Sequence, residues 1–306
     1  MRRHYRPINR RGRTRNESCR AENGTLKGPE RMISNKSSPV PFLYTGPVIG
    51  YGTDAGKRKI NQDALLVLTA ESGYFPEASV VFAAVCDGMG GHAKGEEASR
   101  TAVLMMERWF RCIFPDLLSP PDQAEKKAAA SLKKLFEDIH RELQTAGKDS
   151  PGGAGTTACA LLLFGQIWLA AHTGDSRIYA FSGKPALLTR DHSWVMAEYE
   201  SGRLPKEEMK ADPRRNVLLK CLGLGDSPEP DLRTGTRRKG AAYLLCSDGF
   251  WREGGDEIVG NACCDGRCVT KEEVERLIRQ GFAANAAAGE TDNMTAVLIR
   301  DCFSEK

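Results

Sequence analysis

The stretch from Val80 to Glu96 reads VVFAAVCDGMGGHAKGE and decides the fold. Its first seven residues, Val80 to Cys86, are small or apolar and rich in β-branched side chains, which predicts a strand buried on both faces. The run ends at Asp87, and glycines follow at positions 88, 90 and 91. A helix is predicted to start near Gly95, with acidic residues in its first turn. A carboxylate at a rigid strand end beside an open glycine loop suits a hard cation or a phosphate.

Aspartates stand beside strand-like runs at several other points of the chain. Asp248 follows the run YLLCS, and Asp292 precedes the run that ends at Ile299. Asp175 lies between two strand-like runs, and Asp63 ends the segment GKRKINQD. A single Asp-Gly pair is most often a plain turn, but repeated acids at strand ends can meet once the strands lie side by side. Oxygen ligands of this kind favour Mg²⁺ or Mn²⁺ over zinc.

The same segments carry a resemblance to a known family. In chain order they are RKINQD at 58–63, DGMGGH at 87–92, GDSR at 174–177, CSDG at 246–249 and TDNMT at 291–295. The residues of these motifs, their order and their spacing resemble those of the type 2C metal-dependent protein serine/threonine phosphatases, the PPM family. The motif DGMGGH is similar to that of bacterial members. The resemblance covers roughly residues 49–300. It implies an α/β (α+β) fold, a four-layer α-β-β-α sandwich with two central antiparallel sheets.

The resemblance also implies a set of site residues. The catalytic and metal-binding residues are Arg58, Asp63, Asp87, Gly88, Asp175, Asp248 and Asp292. Arg58 aligns with the arginine that binds the substrate phosphate, and its planar guanidinium suits a bidentate grip. Asp87 aligns with the carboxylate that bridges two Mn²⁺ or Mg²⁺ ions. The reaction implied is hydrolysis of phosphoserine and phosphothreonine by a hydroxide that the two ions bridge.

The remaining ligands are assigned in the same way. The Gly88 carbonyl would add an oxygen to one ion, and Asp248 and Asp292 would complete the other. Asp63 aligns with an acidic residue that supports the metal site. Asp175 resembles a residue that helps to hold a third, weaker ion in bacterial relatives.

The sequence departs from the family pattern at two positions. Many relatives carry Glu where this chain has Gln62, so the ligation of the second ion is left open. Some members carry His directly after Asp-Gly as the acid for the leaving serine oxygen, and this chain has Met89 there. We therefore expect the leaving group to take its proton from a metal-bound water. His92 is interpreted as a residue that packs the loop rather than as a replacement acid.

Length and charge predict one folded domain behind a basic arm. The chain has 306 residues, 41% of them hydrophobic, which is enough for one sizeable core. We expect residues 1–45 to form a disordered N-terminal arm and residues 46–303 the phosphatase domain. Residues 1–40 hold eleven Lys/Arg and three Glu, while the whole chain has a net charge of +4. Three interpretations of the arm stay open: a solvated tail or misplaced start codon, a docking arm for an acidic partner or anionic surface, and a targeting peptide.

The charge distribution also bears on partners. The part of the chain after the arm is net acidic, which disfavours nucleic acid. No run of eighteen apolar residues exists, so no membrane span is predicted. The expected partners are phosphoserine and phosphothreonine proteins and a cognate bacterial serine/threonine kinase that the enzyme opposes, and we expect a monomer. The wording SDGFW at 247–251 resembles phosphatases that accompany type VI secretion kinases.

The cysteine pattern predicts a cytoplasmic protein. Three of the ten cysteines, Cys86, Cys159 and Cys246, lie inside apolar strand-like runs. Buried, reduced thiols explain them best. No cysteine has the setting of a nucleophile, which disfavours a cysteine-type phosphatase.

Two other functions are alternatives to a protein phosphatase. A non-catalytic member of the family would be a regulatory binding module, and loss of metal aspartates would mark it. A two-metal phosphodiesterase acting on nucleic acid would need basic residues across the folded domain. Neither mark is present in the sequence.

Helical periodicity predicts helices over Glu97–Phe114, Gln123–Ala146 and Lys271–Ala287. His140 is placed on the exposed surface of the second of these helices. The polar segment Thr189–Pro213, with a short helical piece near Trp194, aligns with a mobile flap beside the active site. Its alternative is a surface excursion without a role.

Overall fold

A computed structural model describes residues 46–75, 78–90, 94–148, 153–267 and 269–301. The predicted arm at residues 1–45 lies outside these ranges, and so does His92. No helix in the described part of the chain combines the length and the apolar character that crossing a bilayer requires.

The described residues form eleven strands. In chain order they are β1 (Val48–Asp54), β2 (Asp63–Ala70), β3 (Val80–Met89), β4 (Gly155–Thr156), β5 (Ala158–Phe164), β6 (Ile167–Thr173), β7 (Arg177–Ser182), β8 (Lys184–Leu187), β9 (Asp231–Thr236), β10 (Ala242–Cys246) and β11 (Met294–Arg300).

The same residues form seven α-helices and two short 3₁₀ turns. The helices are α1 (Lys94–Cys112), α2 (Phe114–Leu117), α3 (Ala124–Gly147), α4 (Trp194–Glu200), α5 (Asp248–Trp251), α6 (Gly255–Cys264) and α7 (Lys271–Ala288). The 3₁₀ turns are Pro121–Gln123 and Lys206–Glu208. The three long helices predicted from periodicity are α1, α3 and α7.

The strands form two antiparallel sheets. One has the order β1-β11-β10-β7-β8, and the other has the order β2-β3-β5-β6-β9, with β4 added beside the end of β3. Strand β3 lies between β2 and β5, so the apolar stretch from Val80 to Cys86 is central to its sheet. Antiparallel strands can be joined by short hairpins.

Alternate side chains of β3 enter two different buried clusters, as the period of a strand requires. Val81 and Val85 pack with Leu245 and Val297 of the other sheet. Phe82, on the opposite face, belongs to the cluster that includes residues of α1 and α3. The two sheets therefore pack face to face, and α1 and α3 cover the outer side of one.

The outer side of the other sheet is covered by α6 and α7. Leu244 and Leu298 pack there with Val259 of α6 and with Val274 and Ile278 of α7. The layers are thus helix, sheet, sheet and helix. The predicted α-β-β-α sandwich with two antiparallel sheets is confirmed.

Strand β3 is longer than its apolar run predicted. It continues through Asp87 to Met89, because Gly88 and Met89 pair with Thr156 and Gly155 of β4. Asp87 therefore lies within the strand rather than beyond its end. A two-residue strand remote in sequence leaves no local signal, so the extension could not be read from residues 80–96.

His140 is buried, and its prediction as an exposed residue was wrong. Its side chain is 2% exposed, and its Nδ1 accepts a 3.1 Å hydrogen bond from the backbone N–H of Gly223. The loop at residues 222–225 covers this face of α3, and the helix period alone does not contain that contact. In contrast, Cys86, Cys159 and Cys246 are buried and free, as predicted.

Candidate metal centre

Five aspartates come together where the strands of the two sheets end. Asp63 opens β2 and lies opposite Asp87 in β3. Asp248 follows β10, Asp292 precedes the neighbouring β11, and Asp175 lies in the turn between β6 and β7. Burial raises the pKa of Asp87 well above its usual value, and the charges of the other four carboxyls raise it further. The structure therefore brings together all five aspartates that the motifs singled out.

The backbone of Asp87 is fixed on both sides. Its N–H donates to Thr157 Oγ1 at 3.0 Å, and its carbonyl accepts from the Thr157 N–H at 2.8 Å. The Thr156 hydroxyl donates to the same carbonyl at 2.9 Å. Thr157 Oγ1 also shares a 2.7 Å hydrogen bond with Ser176 Oγ, next to Asp175. These bonds link the backbone of Asp87 to the segment that carries Asp175.

Gly88 is required by the close approach of two neighbouring segments. A Cβ at position 88 would lie 2.0 Å from the Gly95 carbonyl oxygen and 2.6 Å from that of Gln62. A Cβ at Gly95 would in turn lie 2.8 Å from the Gly88 carbonyl oxygen. Ser99 Oγ donates to the Gln62 carbonyl at 2.6 Å, which ties α1 to the start of β2. The pair of glycines thus lets the helix start beside the carbonyl predicted to be a ligand.

Asp63 connects the two sheets. Ser247, which follows β10, donates its hydroxyl to Asp63 Oδ2 at 2.8 Å and accepts the N–H of Thr295 at 2.9 Å. Asp63 Oδ1 is buried without a hydrogen-bond partner. Burial raises the pKa of Asp63 to about 7, and the charges of Asp248 and Asp292 also raise it. A buried carboxyl with a free oxygen is suited to a nearby cation.

Asp248 is held by a basic side chain from its own helix turn. Arg252 Nη2 donates to Asp248 Oδ2, while Asp248 Oδ1 is buried and unpartnered. Burial raises the pKa of Asp248, whereas the charge of Arg252 lowers it.

Asp175 is anchored through its backbone and a neighbouring ion pair. Trp251 Nε1 donates to the Asp175 carbonyl oxygen at 3.0 Å. The Arg177 guanidinium lies 3.4 Å from the centre of the Trp251 ring and binds both oxygens of Asp191, at 3.0 and 2.7 Å. Burial raises the pKa of Asp175 well above its usual value. The start of the predicted flap, at Asp191, is thereby connected to the metal centre.

The loop that carries Arg58 rests on the segment before β11. Arg58 Nη2 donates to Asp292 Oδ2 at 2.9 Å, and the Arg58 side chain is 57% exposed. Asn293 Oδ1 accepts the N–H of Gln62 at 2.8 Å, and Asn293 Nδ2 donates to the carbonyls of Ala55 and Ile60 at 3.0 and 3.1 Å. Asn293 therefore shapes the Arg58 loop. The motif TDNMT was recognised in the sequence, but it did not indicate a role for Asn293.

Three of the aspartates line one cleft. Asp87, Asp175 and Asp248 form its acidic side, and its volume is about 350 Å³. Its apolar side is made by Met89, Leu218, Leu219, Cys221 and Leu224. Among the described residues, Arg58, Asp63 and Asp292 do not line this cleft. The apolar wall was missed because residues 217–225 carry neither a helical nor an alternating pattern.

The donor atoms of this centre fit Mg²⁺ or Mn²⁺. All are carboxylate or carbonyl oxygens, the ligands that these ions prefer. The buried, unpartnered oxygens of Asp63 and Asp248 are costly unless a cation or a donor meets them. In the described ranges, no group of three or more His, Cys, Asp or Glu side chains is already arranged to hold a metal ion. Arginines hold one oxygen of Asp248 and one of Asp292 instead.

Comparison with known proteins identifies the family. The model of the protein phosphatase 2C family matches residues 54–299. A putative 2C-type phosphatase of Streptococcus pyogenes is 31% identical over 261 residues, which cover 83% of this chain and 97% of the relative. The serine/threonine protein phosphatase PstP of Mycobacterium tuberculosis is 32% identical over 218 residues, covering 70% of this chain and 39% of that protein. The chain belongs to the protein phosphatase 2C family.

Solved structures agree. The crystal structure of PstP from M. tuberculosis has a TM-score of 0.67 at 26% identity, covering 83% of this chain and 98% of that chain. The PstP catalytic domain in complex with two manganese ions has a TM-score of 0.61 at 25% identity, covering 83% and 99%. PppA, described as a regulatory component of the type VI secretion system of Pseudomonas aeruginosa, has a TM-score of 0.63 at 26% identity, covering 84% and 98%. The prediction of a protein serine/threonine phosphatase is confirmed.

Proposed function

We propose that this enzyme hydrolyses phosphoserine and phosphothreonine in proteins with two Mn²⁺ or Mg²⁺ ions held at the aspartate cluster. The observation that carries the proposal is the cleft lined by Asp87, Asp175 and Asp248, since cations beside such clustered, poorly solvated carboxyls would keep them ionised. Asp87, the Gly88 carbonyl, Asp248 and Asp292 would hold the two ions. Asp63 would support them, and Asp175 would serve a third.

The bound ions would offset the charge of the phosphate dianion and lower the pKa of water toward neutrality. Asp87 would be suited to contact both ions, because a carboxylate has two oxygens, and its backbone is fixed by Thr156 and Thr157. Arg58 would bind the phosphoryl oxygens and orient them for in-line attack. Its exposed guanidinium lies beside Asp292, so phosphate binding and metal ligation would occur at neighbouring groups.

The chain supplies no acid at position 89, where some relatives carry histidine. Met89 lines the cleft and has no proton to donate. The leaving serine or threonine oxygen would therefore take its proton from water in the cleft. We expect the rate of this step to depend weakly on the acidity of the protein's own side chains.

The test is hydrolysis of p-nitrophenyl phosphate and of a phosphothreonine peptide with Mn²⁺, with EDTA and with Asp248→Asn. Asp138→Asn is the matched control, because Asp138 is a helix-surface carboxylate paired with Lys134 and Arg141. Turnover that requires Mn²⁺ and that Asp248→Asn abolishes supports the proposal. A folded, Mn²⁺-saturated protein without turnover would contradict it and favour the non-catalytic binding module.

Three finer expectations stay predictions: a cognate kinase that this phosphatase opposes, a monomeric state and a cytoplasmic location. The regulatory role described for PppA belongs to the Pseudomonas aeruginosa protein. A matching role for this chain would follow only from a kinase whose substrates it dephosphorylates.

A further inference from the structure

A partly buried arginine lies against the acidic cluster, and the proposed reaction gives it no role. Arg252 directly follows α5, and its side chain is only 14% exposed. Its Nη2 donates to Asp248 Oδ2, and its own backbone N–H donates to the Asp248 carbonyl at 2.9 Å. Both ends of Arg252 are therefore attached to one predicted metal ligand.

The electrostatic surroundings of Arg252 are acidic. Burial alone lowers the pKa of its guanidinium, but the charges of Asp248, Glu290, Asp175 and Asp292 raise it above its usual value. The effect is mutual, because Arg252 lowers the pKa of both Asp248 and Asp175. Arg252 thus acts electrostatically on both sides of the cluster, at a low local dielectric where such effects are strong.

The other arginines near the site are arranged differently. Arg177 donates from Nε and from Nη2 to the two carboxylate oxygens of Asp191. Asp191 is not among the predicted ligands. Arg58 lies at the surface, with its side chain 57% exposed. Among the described arginines, Arg252 is the one that is bound to a carboxylate lining the cleft, and its side chain is largely shielded from solvent.

We propose that Arg252 is a resident counter-ion of the metal centre, which neutralises Asp248 in the metal-free protein and weakens binding of a divalent cation there. This inference rests on the proposed metal centre. A buried carboxylate without a partner is unstable, so the metal-free fold gains from the arginine. The same positive charge repels an incoming cation, and Asp248 Oδ2 has to leave Arg252 before it can become a ligand.

The proposed role of Arg252 has opposite effects on the stability of the metal-free protein and on its affinity for metal. Arg252 should stabilise the metal-free protein and oppose metal binding. Removing its charge should therefore lower the melting temperature in EDTA and at the same time tighten Mn²⁺ binding. A purely structural arginine would lower the melting temperature without improving metal affinity.

The experiment is calorimetric titration of the full chain with Mn²⁺, together with thermal unfolding in EDTA. The main variant is Arg252→Gln, which keeps an N–H donor for Asp248 but removes the charge, and Arg252→Lys restores the charge. Arg111→Met is the matched control, because Arg111 forms an i,i+4 ion pair with Glu107 on the surface of α1. We expect Arg252→Gln to bind Mn²⁺ about tenfold more tightly and to melt earlier in EDTA. Arg252→Lys and the control should stay close to the wild type.

Other outcomes would overturn the inference in distinguishable ways. Equal Mn²⁺ affinity of Arg252→Gln and the wild type would contradict the counter-ion role while leaving the metal centre intact. Equal affinity with weaker inhibition by inorganic phosphate would make Arg252 a phosphate-binding residue instead. Absence of Mn²⁺ binding by every variant, wild type included, would remove the proposed metal centre and the inference with it.

Discussion

The hydroxyl of Ser247 donates a 2.8 Å hydrogen bond to Asp63, and this bond joins the ends of the two sheets. Ser247 also accepts the N–H of Thr295, so it satisfies two buried groups at once. Ser247→Ala should therefore lower the free energy of unfolding by about 1–3 kcal/mol, because both partners are left buried and unpaired. Urea unfolding in EDTA at neutral pH measures this. The control is Ser201→Ala, since the Ser201 hydroxyl is exposed. An equal loss in both variants would contradict the account.

Gly88→Ala should disrupt the contact between β3 and α1. The added methyl would lie 2.0 Å from the backbone oxygen of Gly95, which no side-chain motion can relieve. We expect a loss of about 1–3 kcal/mol or more in the free energy of unfolding, and loss of Mn²⁺-dependent turnover. Gly73→Ala is the control, because a Cβ there meets nothing within 4 Å. A fully stable and active Gly88→Ala protein would refute the prediction.

His172 should make the metal-free protein less stable in acid. Burial, and to a smaller extent the charge of the nearby His192, lowers the pKa of His172 from 6.5 to about 3. In the window between these values the unfolded chain binds a proton that the folded chain refuses, so the free energy of unfolding falls as the pH falls. One such group contributes up to about 1.4 kcal/mol per pH unit. Urea unfolding from pH 6.5 to 4.5 should show a shallower dependence for His172→Gln. Identical slopes would show that His172 titrates normally.

Asn293→Ala should impair catalysis by releasing the Arg58 loop. Asn293 binds three backbone groups of that loop, at Gln62, Ala55 and Ile60. We expect kcat/KM for a phosphothreonine peptide to fall about 10–100-fold, because a small displacement of a positioning group has effects of this size.

The double variant Asn293→Ala with Arg58→Lys should lose little more kcat/KM than Arg58→Lys alone, because Asn293 and Arg58 act as a unit. Asn261→Ala, on the exposed side of α6, is the control. Strictly multiplicative losses would mean that Asn293 acts independently of Arg58.

The motifs predicted the main elements of the site because each one is local in sequence. A strand, an aspartate and a glycine within ten residues indicated Asp87 and Asp248, and the face-to-face packing of the two sheets then brought them together. The sandwich followed from the family resemblance, and its layers are confirmed by the two sheets and their buried clusters. The roles assigned to the site residues stay predictions.

The features that were missed depend on contacts between distant segments. His140 is buried because Gly223, eighty-three residues away, donates to its ring. The pairing of Asp248 with Arg252 has helical spacing, but the sequence does not show that the arginine turns inward. Asn293 reaches a loop more than two hundred residues earlier. Such contacts are set by tertiary packing, which period and propensity do not encode.

The most direct test of the metal centre is an anomalous-scattering map from a crystal of the full chain grown or soaked with Mn²⁺. We predict two peaks that share the Asp87 carboxylate, with the Gly88 carbonyl and the Asp248 and Asp292 carboxylates among the surrounding oxygens. Turnover of the same preparation on a phosphothreonine peptide fixes the functional state. An active enzyme whose manganese lies away from Asp87, or that binds none, would contradict the account.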